Sequence, residues 1–118
     1  MADAALFIGW GQVVRGREER ALEVFNESVA FWGELQGSGR IEDFEVVLLA
    51  PHGGELGGFA LLRGSADQIA SLQGEDDFDR QVTRADLIVE NQGVVRAMIN
   101  EGLASSMSRY QGEVAELD

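Results

Sequence analysis

The chain has no cysteine, no lysine, one histidine and one proline in 118 residues. Without thiols it has no disulfide framework, no thiolate nucleophile and no cysteine-ligated zinc or iron–sulfur centre. Without lysine it has neither a Schiff-base amine nor the phosphate-binding lysine of a P-loop. Its single histidine, His52, excludes paired-imidazole metal sites. The hydroxyls of Ser105, Ser106 and Ser108 have no base beside them in the sequence, so a Ser-His-acid triad has little support. No apolar run approaches the ~20 residues of a membrane span, and the start Met1-Ala2-Asp3 lacks the basic region of a signal peptide. The expectation is a cytoplasmic protein without a membrane partner.

Positive charge is also scarce. Nine arginines face 21 acidic residues, for a net charge of −12. Such a surface repels phosphate backbones, so nucleic acid is not an expected partner. The acidic stretch Glu75-Asp76-Asp77, with Asp79, lacks the spacing of a calcium-binding loop and is read as the charged start of a helix, not a metal site. Gly9 and Gly11 lie inside a strand pattern and lack the third glycine of a dinucleotide fingerprint. No cofactor is expected.

What remains is a well-patterned chain, 45% hydrophobic, of a size that builds one domain over residues 1–118. Leu6 to Val14 alternates as a strand, with Leu6, Ile8, Trp10, Gln12 and Val14 on one face and Phe7, Gly9, Gly11 and Val13 on the other. The two glycines flanking Trp10 leave room for something large to pack, or for a pocket. Arg17 to Gln36 has helical spacing, with Ala21, Leu22, Phe25, Val29, Trp32 and Leu35 as its apolar stripe, and Gly37-Ser38-Gly39 ends it. Ile41 to Ala50 and Phe59 to Arg63 read as strands joined by a glycine-rich loop. Ser65 and Gln68 form a capping box for a helix starting near Ala66. Gly74 breaks that helix, and Phe78, Val82, Ala85 and Val89 resume the helical spacing. Gly93 to Asn100 is the last strand, and Leu103, Met107, Tyr110, Val114 and Leu117 mark a C-terminal amphipathic helix.

The order β-α-β-β-α-β plus an extra helix predicts an α+β, ferredoxin-like domain: a four-stranded antiparallel sheet with helices on one face. Phe7, Val13, Val47, Leu49, Leu62 and Val95 are assigned to the other face. An apolar patch of that size calls for a cover, and a second copy of the sheet supplies one. In this the chain resembles the dimeric α/β-barrel superfamily, which includes the antibiotic-biosynthesis-type monooxygenases. The resemblance is carried by Leu6-Phe7-Ile8-Gly9-Trp10, by Phe25, Phe31 and Trp32, by Asp76-Asp77-Phe78-Asp79-Arg80, and by Leu87 to Val95. It implies a homodimer.

Two readings of function follow. The first is a homodimeric domain that binds a small apolar ligand between sheet and helices, at Trp10, Phe25 and Trp32, residues that core packing explains equally well. The second, implied by the resemblance, is a cofactor-independent monooxygenase acting on an aromatic substrate, with Gln12, Asn91, Arg96 and Asn100 as candidate polar groups. Arg96 reads alternatively as half of an ion pair with Glu45 or Glu90 across a dimer interface. Some relatives bind heme through a histidine, which points to His52. Its glycine-rich loop also fits a solvated turn residue.

Overall fold

Alternation sets the two faces of the first strand, β1 (Ala4–Trp10): Leu6 and Ile8 are buried beneath helices, and Phe7 lies on the opposite side. The computed structural model describes residues 1–118. After β1 come α1 (Glu18–Gly37), β2 (Asp43–Leu48), β3 (Gly58–Gly64), α2 (Ala66–Gln73), α3 (Asp76–Asp86), β4 (Gly93–Met98) and α4 (Asn100–Leu117). The strands form one antiparallel sheet in the order β2-β3-β1-β4. This is the α+β, ferredoxin-like arrangement expected from the sequence, with the second helix split into α2 and α3 and with α4 added. No helix is long and apolar enough to cross a membrane.

Local chemistry places the breaks. Gln68 N–H donates to Ser65 Oγ (3.1 Å) and Ser65 N–H donates to Gln68 Oε1 (2.8 Å), closing the capping box at the start of α2. Asp76, Asp77 and Asp79 occupy the first turn of α3, where the helix dipole favours negative charge. Past the end of α1, Gly39 takes a left-handed φ of 79°, and Arg40 N–H donates back to Leu35 O at 2.9 Å.

The core lies between the sheet and α1–α3. It joins Leu6, Ile8, Ala60 and Leu62 to Trp32 and Leu35 of α1, Ile69 and Leu72 of α2, and Phe78 of α3. Several sequence expectations are corrected here. Leu62, assigned to the far face, pairs in register with Leu6 and is fully buried in the core. Leu22, counted in the stripe of α1, is 67% exposed, and Val24 and Ser28 are buried in its place. β1 stops at Trp10, not Val14, because the next backbone groups pair with the segment after α3: Gly11 N–H donates to Glu90 O (2.8 Å) and Val14 N–H to Ile88 O (2.9 Å). A side chain on Gly11 would meet the carbonyl oxygens of Glu90 and Glu55 at 2.8 and 2.9 Å, so only glycine fits this crossing. Beyond the end of β1, Val13 leaves the far face and turns toward the helices. β4 ends at Met98, short of Asn100, which takes a φ of 50° and donates its Nδ2 to Ala2 O at 2.6 Å.

The far face of the sheet carries Phe7, Val47, Phe59, Leu61 and Val95. Phe7 and Phe59 stack with centroids 5.1 Å apart, and a Cβ on Gly9 would come within 2.6 Å of the Phe7 ring. The bulk that the first-strand glycines call for is thus supplied by Phe7 over Gly9. Val95 remains 56% exposed. Toward the β2 edge Arg63 pairs with Asp43 (3.3 Å) and Glu45 (2.5 Å).

Arg40 forks onto Asp77 through two hydrogen bonds of 2.9 and 3.0 Å and ties the end of α1 to the start of α3. The Arg40 hydrogen bond, with its charge behind it, holds the Asp77 carboxyl below its ordinary value of 3.8. A depressed folded pKa stabilises the fold above the unfolded value and loses that contribution as pH falls through the folded one. Asp77→Asn is expected to cost up to about 1 kcal/mol at pH 7, the range of partly exposed pairs. In urea melts across a pH series, the gap between variant and parent should shrink as pH falls below 3.8.

Candidate functional site

Between β1, α1 and α3 the layers do not close, and a cavity of about 510 Å³ remains. Its origin is legible in side-chain size: Ala21 and Ser28 on α1 face Ala85 on α3, so small residues line both walls where a filled core would carry leucines. Ile8 and Trp10 form the floor, Val24, Phe25 and Trp32 one wall, and Phe78, Val82 and Ile88 the other. Trp10 meets Phe25 edge-on, with centroids 6.1 Å apart, and Trp32 meets Phe44 in the same way at 6.1 Å. These contacts fix the aromatic rings that shape the cavity.

Apart from one carboxylate, the polar side chains at the wall are neutral amides and a hydroxyl. Gln81 Nε2 donates to the buried Ser28 Oγ at 2.9 Å, joining α3 to α1, and Gln92 Nε2 donates to Val82 O at 3.0 Å. One residue earlier on α1, Glu27 accepts two hydrogen bonds of 2.9 Å from Arg84 of α3, so hydrogen bonds and an ion pair clamp the helices together. Glu18 is the one charged residue of the lining, and its carboxylate accepts from Gly16 N–H at 3.1 Å. No arginine or histidine lines the cavity.

Of the residues singled out from sequence, the fold brings Trp10, Phe25 and Trp32 to one cavity and leaves the others elsewhere. Gln12 is exposed, and its backbone oxygen accepts from Glu90 N–H at 2.8 Å. Asn91 adopts a left-handed φ of 57° in the turn between α3 and β4, a conformation asparagine tolerates well. Arg96 stands on the edge strand β4, exposed and without an ion pair inside the chain; of the two acids named as its partners across a dimer, Glu45 binds Arg63 and Glu90 has no ion pair within the chain. Asn100 anchors the start of α4. His52 is held inside its own loop: Nδ1 accepts from Gly54 N–H (3.1 Å), and Nε2 lies 2.7 Å from Leu56 O as donor. With both ring nitrogens engaged, an iron atom would have to displace one of these bonds. The loop-residue reading therefore fits His52 better than an axial-ligand reading.

Among the wall residues that escaped sequence reasoning are its three neutral polar side chains, Ser28, Gln81 and Gln92. Ser28 left a signal, a hydroxyl at the helical spacing of Ala21, Val24, Trp32 and Leu35, where an amphipathic helix would place an apolar residue. The glutamines left none, because amides on a polar helix face and in a turn are unremarkable.

Solved structures of two proteins share the architecture. A dimeric protein of unknown function and ferredoxin-like fold from Bacteroides fragilis superposes with a TM-score of 0.58 at 16% identity, over 81% of this chain and 96% of that one. SnoaB, a cofactor-independent oxygenase from Streptomyces nogalater, superposes in two crystal structures with TM-scores of 0.59 and 0.52 at 15% and 16% identity, over 84% of this chain and 95% of that one. The shared fold is ferredoxin-like. No protein-family model and no curated protein matches the sequence. At such identities the ferredoxin-like proteins share a backbone with this chain, and the chemistry has to be argued from its own side chains.

Core and surface candidates separate by stability. Trp32→Ala should cost about 3–5 kcal/mol, the range for removing a large buried aromatic. Arg96→Ala should stay within about 0.5 kcal/mol of the parent, as exposed positions do. Urea unfolding of the two variants checks both values.

Proposed function

We propose that residues 1–118 form one ferredoxin-like unit that pairs with a second copy and binds a small, uncharged, largely apolar molecule between β1, α1 and α3. The cavity itself carries this reading. Its volume of about 510 Å³ lies in the usual range for small-molecule sites, and fourteen of its twenty lining residues are hydrophobic. Ser28, Gln81 and Gln92 supply a few neutral polar atoms to orient a hydroxyl or carbonyl. The absence of a cationic lining residue disfavours a carboxylate or phosphate, since a buried anion without a partner is costly. Pairing is supported by the apolar far face of the sheet and by the likeness to a ferredoxin-like protein described as dimeric.

The chain's two tryptophans, Trp10 and Trp32, both line the cavity, so intrinsic emission reports on its contents. N-phenyl-1-naphthylamine should bind saturably and alter that emission. Its sulfonated analogue, 1-anilinonaphthalene-8-sulfonate, should bind at least tenfold more weakly, and Ala85→Phe should abolish binding. Equal affinity for the two probes would overturn the charge argument, and absence of saturable binding would overturn the site. In native mass spectrometry Phe59→Glu should give a smaller or more weakly held assembly than the parent, because the charge disrupts the far face of the sheet.

Cofactor-independent oxygenation of an aromatic substrate is a second reading, favoured by the likeness to SnoaB. Under it, the amide N–H groups of Gln81 and Gln92 would stabilise negative charge developing on a substrate oxygen. Oxygen-dependent turnover of a phenolic substrate that survives unchanged in Gln81→Leu would remove these groups from the chemistry.

A further inference from the structure

The C-terminal helix α4 is amphipathic and yet covers nothing. It holds no buried residue, although Leu103, Met107, Tyr110, Val114 and Leu117 lie on one side of it. The first four are 48% to 65% exposed, and Leu117 is 85% exposed. The helix extends about 27 Å at 1.5 Å per residue. Its projection shows in a Cα radius of gyration of 16.1 Å, against about 13.5 Å for a compact chain of this length.

The root of α4, in contrast, is tightly built. Asn100 is held to Ala2 O at 2.6 Å in its left-handed conformation. Gly102 lies so close to the backbone of Asp3 that any side chain there would overlap the Asp3 carbonyl. The sheet therefore aims α4 in a fixed direction, and four turns of helix leave the body with their apolar seam unpaired.

The spacing of that seam is specific. Leu103, Met107, Tyr110, Val114 and Leu117 follow one another at intervals of 4, 3, 4 and 3 residues. This is the 3.5-residue repeat with which one helix packs along another, narrower than the stripe that faces a sheet. Small or neutral residues, Ala104, Ser106 and Gln111, flank its first part and leave a second helix free to approach, and Glu113 flanks it beside Val114.

Charge then selects the direction. The C-terminal end of α4 carries Glu113, Glu116 and Asp118, and no basic residue occupies its last turn. Those acids sit at the negative end of their own helix dipole. A parallel pair would bring two such ends together. The N-terminal end carries one acid, Glu101, at the positive end of the dipole, so an antiparallel pair sets each three-acid end beside the less acidic end of the other helix, and a two-fold axis generates that arrangement from identical chains. We propose that α4 is an interaction arm that pairs antiparallel with α4 of a second copy, with Leu103 opposite Val114 and Met107 opposite Tyr110. This surface is separate from the far face of the sheet and independent of any ligand.

The absence of native cysteine makes the test direct, since introduced thiols are the sole ones. In Leu103→Cys/Val114→Cys the two positions lie about 16 Å apart along one helix, too far for an internal disulfide. Across the proposed pair they are adjacent. Mild oxidation should convert most of the double variant to a covalent dimer on denaturing gels, while Leu103→Cys and Val114→Cys alone remain monomeric there. Circular dichroism and unfolding midpoints of the reduced variants establish that each is folded. A folded double variant that fails to cross-link, or a single variant that cross-links equally well, overturns the antiparallel pairing. The Phe59→Glu variant, combined with these thiols, separates the two surfaces: cross-linking that persists in it belongs to α4, whatever becomes of the sheet-face contact.

Discussion

β1 is hydrogen-bonded on both edges, to β3 and to β4, and this double pairing is the constraint from which the other features follow. Once Leu6 stands opposite Leu62 and Ile8 opposite Ala60, one face of the sheet is committed to α1, α2 and α3, and the other to whatever lies beyond the chain. A slip of one residue would exchange the faces, expose Leu6 and Ile8, and bury Phe7 against Trp32. The Phe7–Phe59 stack over Gly9 and the backbone crossing at Gly11 both resist such a slip, because each allows a single neighbour arrangement.

Within that frame, core and cavity are two ends of the same layer. Where Leu35, Ile69, Leu72 and Phe78 meet the sheet, large side chains interlock and little space is left. Toward the start of α1 the side chains shrink to Ala21 and Ser28, while Glu27–Arg84 and Ser28–Gln81 hold α1 and α3 to one another without filling the gap. A hollow of this kind forgoes packing energy. It is retained by polar contacts at its rim and by aromatic rings braced edge to face.

Two apolar surfaces remain outside the layer, the far face of the sheet and the seam of α4. They differ in physical character: the first is broad and bordered by the Arg63–Asp43–Glu45 cluster, and the second is a narrow line on a projecting rod. A chain with net charge −12 resists self-association over distance. Any contact between copies would therefore have to come from such uncharged surfaces, with acidic groups kept at their margins.

Much of the fold was legible in the sequence because it rests on local rules. The helical spacing of α1, the capping box at Ser65, the break at Gly74 and the element order are all written in neighbouring residues, as is the aromatic character of Trp10, Phe25 and Trp32. The exclusion of thiol and paired-imidazole chemistry follows from composition alone. What needed tertiary structure was pairing and direction. Leu62 was assigned the wrong face because its register against Leu6 is not written locally, and Val13 left its strand because Gly11 pairs with Glu90, 79 positions away. The wall of Ser28, Gln81 and Gln92 comes from segments distant in sequence, and an amide has no period that betrays its contacts. Arg96 and His52 drew notice as rare residue types, yet the fold places one on an edge strand and ties the other into its own loop. Sequence thus determined the elements, through periodicity and end chemistry. Tertiary structure alone decided which side chains share a space, since register and helix rotation depend on partners that no local window contains.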